Sequence, residues 1–113
     1  MVTTSEVDST LITAGFQALS EPLRLQILEL LQEQELCVCD LRDRVDVSQS
    51  KLSFHLRILR QAGLARSRQE GRWVYYSLNL PQLLLLEQYL NQLRANALMR
   101  PAAKCSDETI NNE

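Results

Sequence analysis

Three cysteines and one serine-capped basic segment carry the chemistry legible in this chain. Cys37 and Cys39 stand one residue apart in Leu36-Cys-Val-Cys-Asp-Leu41, and Cys105 lies near the C-terminus. Thiolates are soft donors that take thiophilic metals and metalloids in preference to hard cations. A few residues on, Ser48-Gln-Ser-Lys-Leu-Ser-Phe-His-Leu-Arg-Ile-Leu-Arg60 joins a helix-capping serine to hydrogen-bonding and basic side chains. Side chains of that kind read base edges and hold phosphates. A soft-ion site and a DNA-reading element this close together imply regulation, a protein that releases DNA when its thiols are occupied.

The spacing of the cysteine pair constrains how it works. Residues i and i+2 of a regular α-helix lie about 200° apart around the axis. Cys37 and Cys39 can therefore share one ion only if the helix begins after Cys37 or its first turn opens. Occupation would distort or shift the helix that braces the DNA-reading one, and linkage requires ion and DNA to weaken each other's binding by the same factor. The competing reading is two buried cysteines packed as small hydrophobes. His55, the only histidine, is read as a packing residue, because a single histidine on a helix is seldom a ligand by itself.

The elements that must position these groups follow from periodicity. Leu11, Ile12, Ala14, Phe16 and Leu19 make a first apolar helix ending near Ser20, which is placed to cap the next one with Pro22 in its first turn. Leu23, Ile27, Leu30 and Leu31 give the second helix its core face. A short third helix is expected from about Val38 to Arg44, turning Leu41 and Val45 inward. Ser48 caps a fourth reaching about Ala62, where Gly63 supplies the left-handed stop. From Leu64 to Leu78 the period changes to near-alternation, broken by Arg68-Gln69-Glu70-Gly71-Arg72, which reads as a two-stranded hairpin with a glycine-containing tip. Pro81 opens a last helix carrying Leu83, Leu86, Leu90, Leu93 and Ala97, and Pro101 ends it. The expected fold is mainly α (α+β), a winged helix-turn-helix with a β-hairpin wing. Residues 1–9 form a flexible lead, 10–100 the DNA-binding and dimerisation domain, and 101–113 a flexible tail.

On the fourth helix, Leu52, Leu56 and Leu59 share the core face, leaving Ser50, Ser53, Phe54 and Arg57 opposite and Gln49 and Lys51 at the N-terminal end. That half of a recognition helix enters the major groove. Ser and Gln suit base edges, Phe54 a thymine methyl, and Arg57 and Arg60 phosphates. Arg68 and Arg72, at the hairpin tip, are placed for the neighbouring minor groove or backbone.

Charge agrees with this division. The chain of 113 residues carries a net charge of −2. Between Arg42 and Tyr76, however, eight basic residues face three acidic ones, the segregation expected when one face meets phosphate. With 45% hydrophobic and 23% charged residues, one folded domain is expected. Residues 83–86 are four leucines, but their polar flanks keep the run far short of a membrane span. There is no basic-then-apolar leader at the N-terminus, so a cytoplasmic location is expected. Thiols stay reduced there, which favours cysteine ligands over disulfides. The chain has no Cys-x-x-Cys turn on a βαβ scaffold and no glycine-rich phosphate loop, so an enzyme is not expected.

Three stretches together are similar to one known family. Glu35-Leu-Cys-Val-Cys-Asp-Leu41, Ser48 through Leu64, and Gly71-Arg-Trp-Val-Tyr-Tyr-Ser-Leu78 resemble the ArsR/SmtB metal-responsive repressors over about residues 10–98. The first string resembles the arsenite- and antimonite-sensing branch. That resemblance implies a homodimeric repressor of an arsenic-resistance operon, released from its operator by As(III) or Sb(III). The branch's motif has a third cysteine three residues after the second, where this chain has Arg42. As(III) is best satisfied by three thiolates, so Cys105, from its own chain or the partner, or an external thiol would complete the set. The zinc-sensing relatives carry Asp and His ligands on the last helix, and Pro81 to Leu93 offers none.

Dimerisation is expected through the terminal helices, with Leu11, Phe16, Leu83, Leu86, Leu90 and Leu93 as interface. Two readers would then stand about one DNA turn apart, on the order of 34 Å, matching an imperfect inverted repeat. The alternatives are a sensor of Cd(II), Pb(II) or Zn(II), a thiol-based redox switch, or a winged helix used for protein contacts.

Overall fold

Apolar residues at three- and four-residue spacing gather the middle of the chain around one core. The computed structural model describes residues 6–98 and 101–105. The elements run α1 (Glu6–Ala18), α2 (Pro22–Leu31), β1 (Leu36–Cys37), α3 (Val38–Arg44), α4 (Gln49–Gln61), β2 (Ala65–Glu70), β3 (Trp73–Leu78) and α5 (Leu80–Leu98). Ile27 of α2, Leu41 of α3, Leu52, Leu56 and Leu59 of α4 and Leu64 are fully buried. Each such side chain stabilises the fold by about 1.5–3 kcal/mol through burial alone. No helix among the described residues is long and apolar enough to cross a membrane.

Local signals set the ends of α4. Ser48 is extended at φ −65°, ψ 157°, and its Oγ accepts from the Lys51 N–H at 3.2 Å. At the other end Gly63 takes φ +78°. Its N–H donates to the Arg60 carbonyl and that of Leu64 to the Leu59 carbonyl, both at 3.0 Å, the paired closure that a left-handed residue permits. Ser20, by contrast, is not the cap of α2. Its hydroxyl donates back to the Gln17 carbonyl at 2.7 Å, and Glu21 takes the cap position without a side-chain bond.

Three further features depart from the sequence expectation. The sheet has three antiparallel strands in the order β1-β3-β2, not two. β1 adds Leu36 opposite Tyr76 and Cys37 opposite Tyr75; a two-residue strand buried on both faces offers no alternation to read. α1 starts at Glu6, inside the stretch expected to be a flexible lead, while residues 1–5 and 106–113 lie outside the described residues. Finally, Leu86 is 4% exposed within the chain's own core. α1 packs on α5 so closely that a Cβ on Gly15 would fall 2.9 Å from both Leu86 Cδ atoms. Leu11, Phe16 and Leu83 are partly buried in the same chain, and Phe16 meets Tyr89 with ring centroids 6.0 Å apart. Leu84, Leu90 and Leu93 of α5 are half exposed, and Leu80 at its start is more so.

Candidate metal centre and nucleic-acid interface

Cys37 ends β1 and caps α3 at once. Its backbone is extended at φ −79°, ψ 162°, and its Sγ accepts from the Asp40 N–H at 3.4 Å. The helix therefore begins after Cys37, the first of the two geometries that let the pair converge. The two sulfurs and an Asp40 carboxylate oxygen all lie within 4.8 Å of one another. Cys37 is buried and Cys39 half-buried. The adjoining Cys39 thiol pushes the Cys37 thiol pKa up, with burial adding to the rise against the Asp40 N–H. Neighbouring thiols release protons when an ion takes the sulfurs.

Asp40 was not singled out from the sequence. The signal that could have found it is its place three residues after a capping Cys, where the side chain returns to the helix start. Cys105 is exposed, beyond α5, and lies outside this cluster. A set of two soft sulfurs and one oxygen fits thiophilic ions of mixed preference, and a third sulfur would suit As(III) better.

The outward face of α4 is open. Gln49, Ser50, Lys51, Ser53, Arg57 and Arg60 are exposed, and Phe54 is 46% exposed with the Arg57 guanidinium 5.6 Å from its ring. Gln49 Oε1 accepts from Arg42 of α3 at 3.1 Å. Behind this face, buried His55 has Nδ1 2.9 Å from Arg24 Nη1. Burial first, then the Arg24 charge, lowers its pKa. It is a buried packing residue, as read from the sequence.

The two wing arginines differ. Arg72 is in the tight turn with Gly71, which takes φ +63°, and its guanidinium lies 5.7 Å from the half-exposed Trp73 ring. Arg68 is not at the tip but inside β2, opposite Tyr75. It pairs with Glu35 at 2.8 Å and Glu70 at 2.7 Å. Its hydrogen bonds hold the Glu35 carboxyl below its ordinary pKa. A second polar residue unmarked by the sequence is Gln82, 5% exposed. Its Nε2 donates to the Leu11 carbonyl at 3.0 Å and the Ala62 carbonyl at 3.1 Å, joining α5 to α1 and to the end of α4.

Comparison with known proteins gives this arrangement a context. Residues 21–67 match the profile of bacterial regulatory protein, arsR family. The chain is 49% identical over 65 residues to the arsenical resistance operon repressor of Bacillus subtilis, covering 57% of this chain and 62% of that one. It is 37% identical over 86 residues to the cadmium resistance transcriptional regulatory protein CadC of Listeria innocua, covering 74% and 72%. Among solved structures it is similar to HlyU from Vibrio cholerae, with TM-score 0.62 and 34% identity over 80% of this chain and 99% of that one. The matched stretch spans 48% to 62% of the length of three curated relatives.

Proposed function

The chain belongs to the arsR family of bacterial regulatory proteins, and on that premise we propose that it is a homodimeric, cytoplasmic transcriptional repressor whose grip on operator DNA is loosened when As(III) or Sb(III) binds Cys37 and Cys39. The observation that carries this reading is the convergence of the Cys37, Cys39 and Asp40 ligand atoms within 4.8 Å at the start of α3. Gln49, Ser50, Lys51, Ser53 and Phe54 enter the major groove, Arg57 and Arg60 hold phosphates, and Arg72 reaches the adjoining backbone from the wing tip. Arg68, committed to Glu35 and Glu70, supports the wing. The third arsenic ligand is a sulfur from Cys105, of the same chain or the partner, or from a small cellular thiol. Dimerisation covers the half-exposed Leu84, Leu90 and Leu93 of α5 and pairs two readers on an imperfect inverted repeat.

A second reading has its own support. The Asp40 oxygen makes a mixed donor set, and the likeness to CadC extends over more of this chain than the likeness to the B. subtilis repressor. Both favour Cd(II) or a related soft divalent ion as inducer. Fluorescence anisotropy of the reduced protein on DNA from upstream of its own gene separates the readings. Arsenite is expected to release the DNA, and Cys37→Ser and Cys39→Ser are expected to hold it. Release by Cd(II) and not by arsenite selects the second reading. Cys105→Ser tests the third ligand, and absence of selective DNA binding defeats the repressor reading outright.

A further inference from the structure

The cysteine pair is joined more directly to the wing than to the recognition helix. β1 ends on Cys37, which is paired with Tyr75 of β3, and Tyr75 is opposite Arg68 of β2. Directly opposed residues share a sheet face, so Cys37, Tyr75 and Arg68 form one row across three strands. The Arg68 guanidinium lies over the Tyr75 ring, 4.6 Å from its centroid. Arg68 Nε and Nη2 donate to Glu35 Oε2 at 2.9 Å and Oε1 at 2.8 Å. A two-pronged contact of this kind fixes orientation as well as distance. β1 is thus tied to the wing by its backbone at Leu36 and Cys37 and by a side chain at Glu35. Helix α3 lies against β1 and β3 more extensively than against α4, and its Arg42–Gln49 hydrogen bond to α4 is exposed.

We propose that the wing is the part moved by the cysteine pair, with Glu35, Arg68 and Tyr75 as positioning residues that carry a shift of β1 into the tilt of the β2–β3 hairpin. The inference rests on the repressor reading above and names how that site is read out. Drawing the Cys37 and Cys39 sulfurs together displaces the end of β1, because Cys37 is its last residue. β3 follows through the Cys37–Tyr75 pairing, and β2 through the Arg68–Glu35 fork. From Tyr75 to the turn at Gly71 is about 13 Å at roughly 3.3 Å per residue. A tilt of about 10° therefore moves Arg72 by about 2 Å, enough to break a hydrogen bond to phosphate.

The chain's one tryptophan, Trp73, opens β3 and reports this motion. Reduced full-length protein without DNA is titrated with arsenite, following Trp73 emission and, separately, the ultraviolet absorbance of arsenic–thiolate bonds. Both signals are expected to change with one midpoint. In Glu35→Gln the absorbance midpoint should stay within about twofold while the Trp73 response is lost. The arsenite-induced weakening of DNA binding, about 5–150-fold for a typical coupling, should fall below about threefold. Arg68→Lys keeps the charge and loses the fork, and should behave alike. The side chains of Arg68 and Glu35 are 50% and 34% exposed, so neither change opens the core. Absorbance that changes while Trp73 stays silent in the unsubstituted protein overturns the wing route and leaves the repressor reading intact. Full coupling retained in either variant overturns it as well. Absorbance that never changes defeats the arsenite reading and this inference together.

Discussion

Replacing Gln82 by methionine removes two hydrogen bonds while nearly preserving side-chain volume. The two losses are unequal. The Leu11 carbonyl lies within α1, where the N–H four residues on approaches it already, so losing Gln82 there costs about 0.5 kcal/mol. The Ala62 carbonyl belongs to the C-cap of α4, and its bond to Gln82 is buried. Leaving that acceptor dry costs about 1–3 kcal/mol. The expected loss is about 2 kcal/mol, lowering Tm by roughly 8 °C for a chain of this size. Urea unfolding followed by circular dichroism at fixed protein concentration measures it, since any self-association would shift apparent stability. A loss below about 0.5 kcal/mol would refute the reasoning, because it would mean that water or backbone adjustment satisfies Ala62 as well as Gln82 does. Gln82→Glu sharpens the test. Only the protonated carboxyl can donate, and burial raises its folded pKa. Stability tied to that proton is present below the unfolded value of about 4.3 and lost as pH rises. The glutamate variant should therefore weaken steadily from about pH 4 to pH 7.

Three further outcomes are expected. Ser48→Ala removes the cap on Lys51 N–H and should cost about 1 kcal/mol in urea unfolding, while weakening DNA binding by anisotropy because the reading turn frays. His55 has a lowered pKa, so the folded state binds fewer protons than the unfolded one just below the ordinary value of about 6.5. Stability should fall as pH drops through that window, and His55→Gln should flatten the urea midpoint against pH. Leu90→Lys with Leu93→Lys places charge on half-exposed apolar positions; sedimentation should report a monomer, and a dimer of unchanged strength would place the interface elsewhere.

Much of the fold was legible because its signals are local. Val38–Arg44, the Ser48 cap, the left-handed Gly63 and the glycine-containing turn at Gly71 each follow from a few adjacent residues. The core face of Leu52, Leu56 and Leu59 follows from periodicity. What escaped the sequence depends on distant partners. The Glu35–Arg68 fork joins the residue just before β1 to one inside β2, and Gln82 meets Leu11 and Ala62 from far along the chain. Leu86 shares its spacing with exposed Leu90 and Leu93, and only the approach of Gly15 decides which is core. Within the candidate centre, the Cys37–Cys39 geometry was limited to two options by helix periodicity. The extended backbone at Cys37 settles between them.

The double duty of Cys37 has a genetic consequence. Serine is a stronger helix cap than cysteine and would accept the same Asp40 N–H. Cys37→Ser would therefore discard the proposed sulfur ligand while keeping a cap at the start of α3. If Cys37 is the ligand proposed above, a form deaf to its inducer lies one substitution away with the α3 cap retained, so such alleles should surface only when the toxic ion arrives.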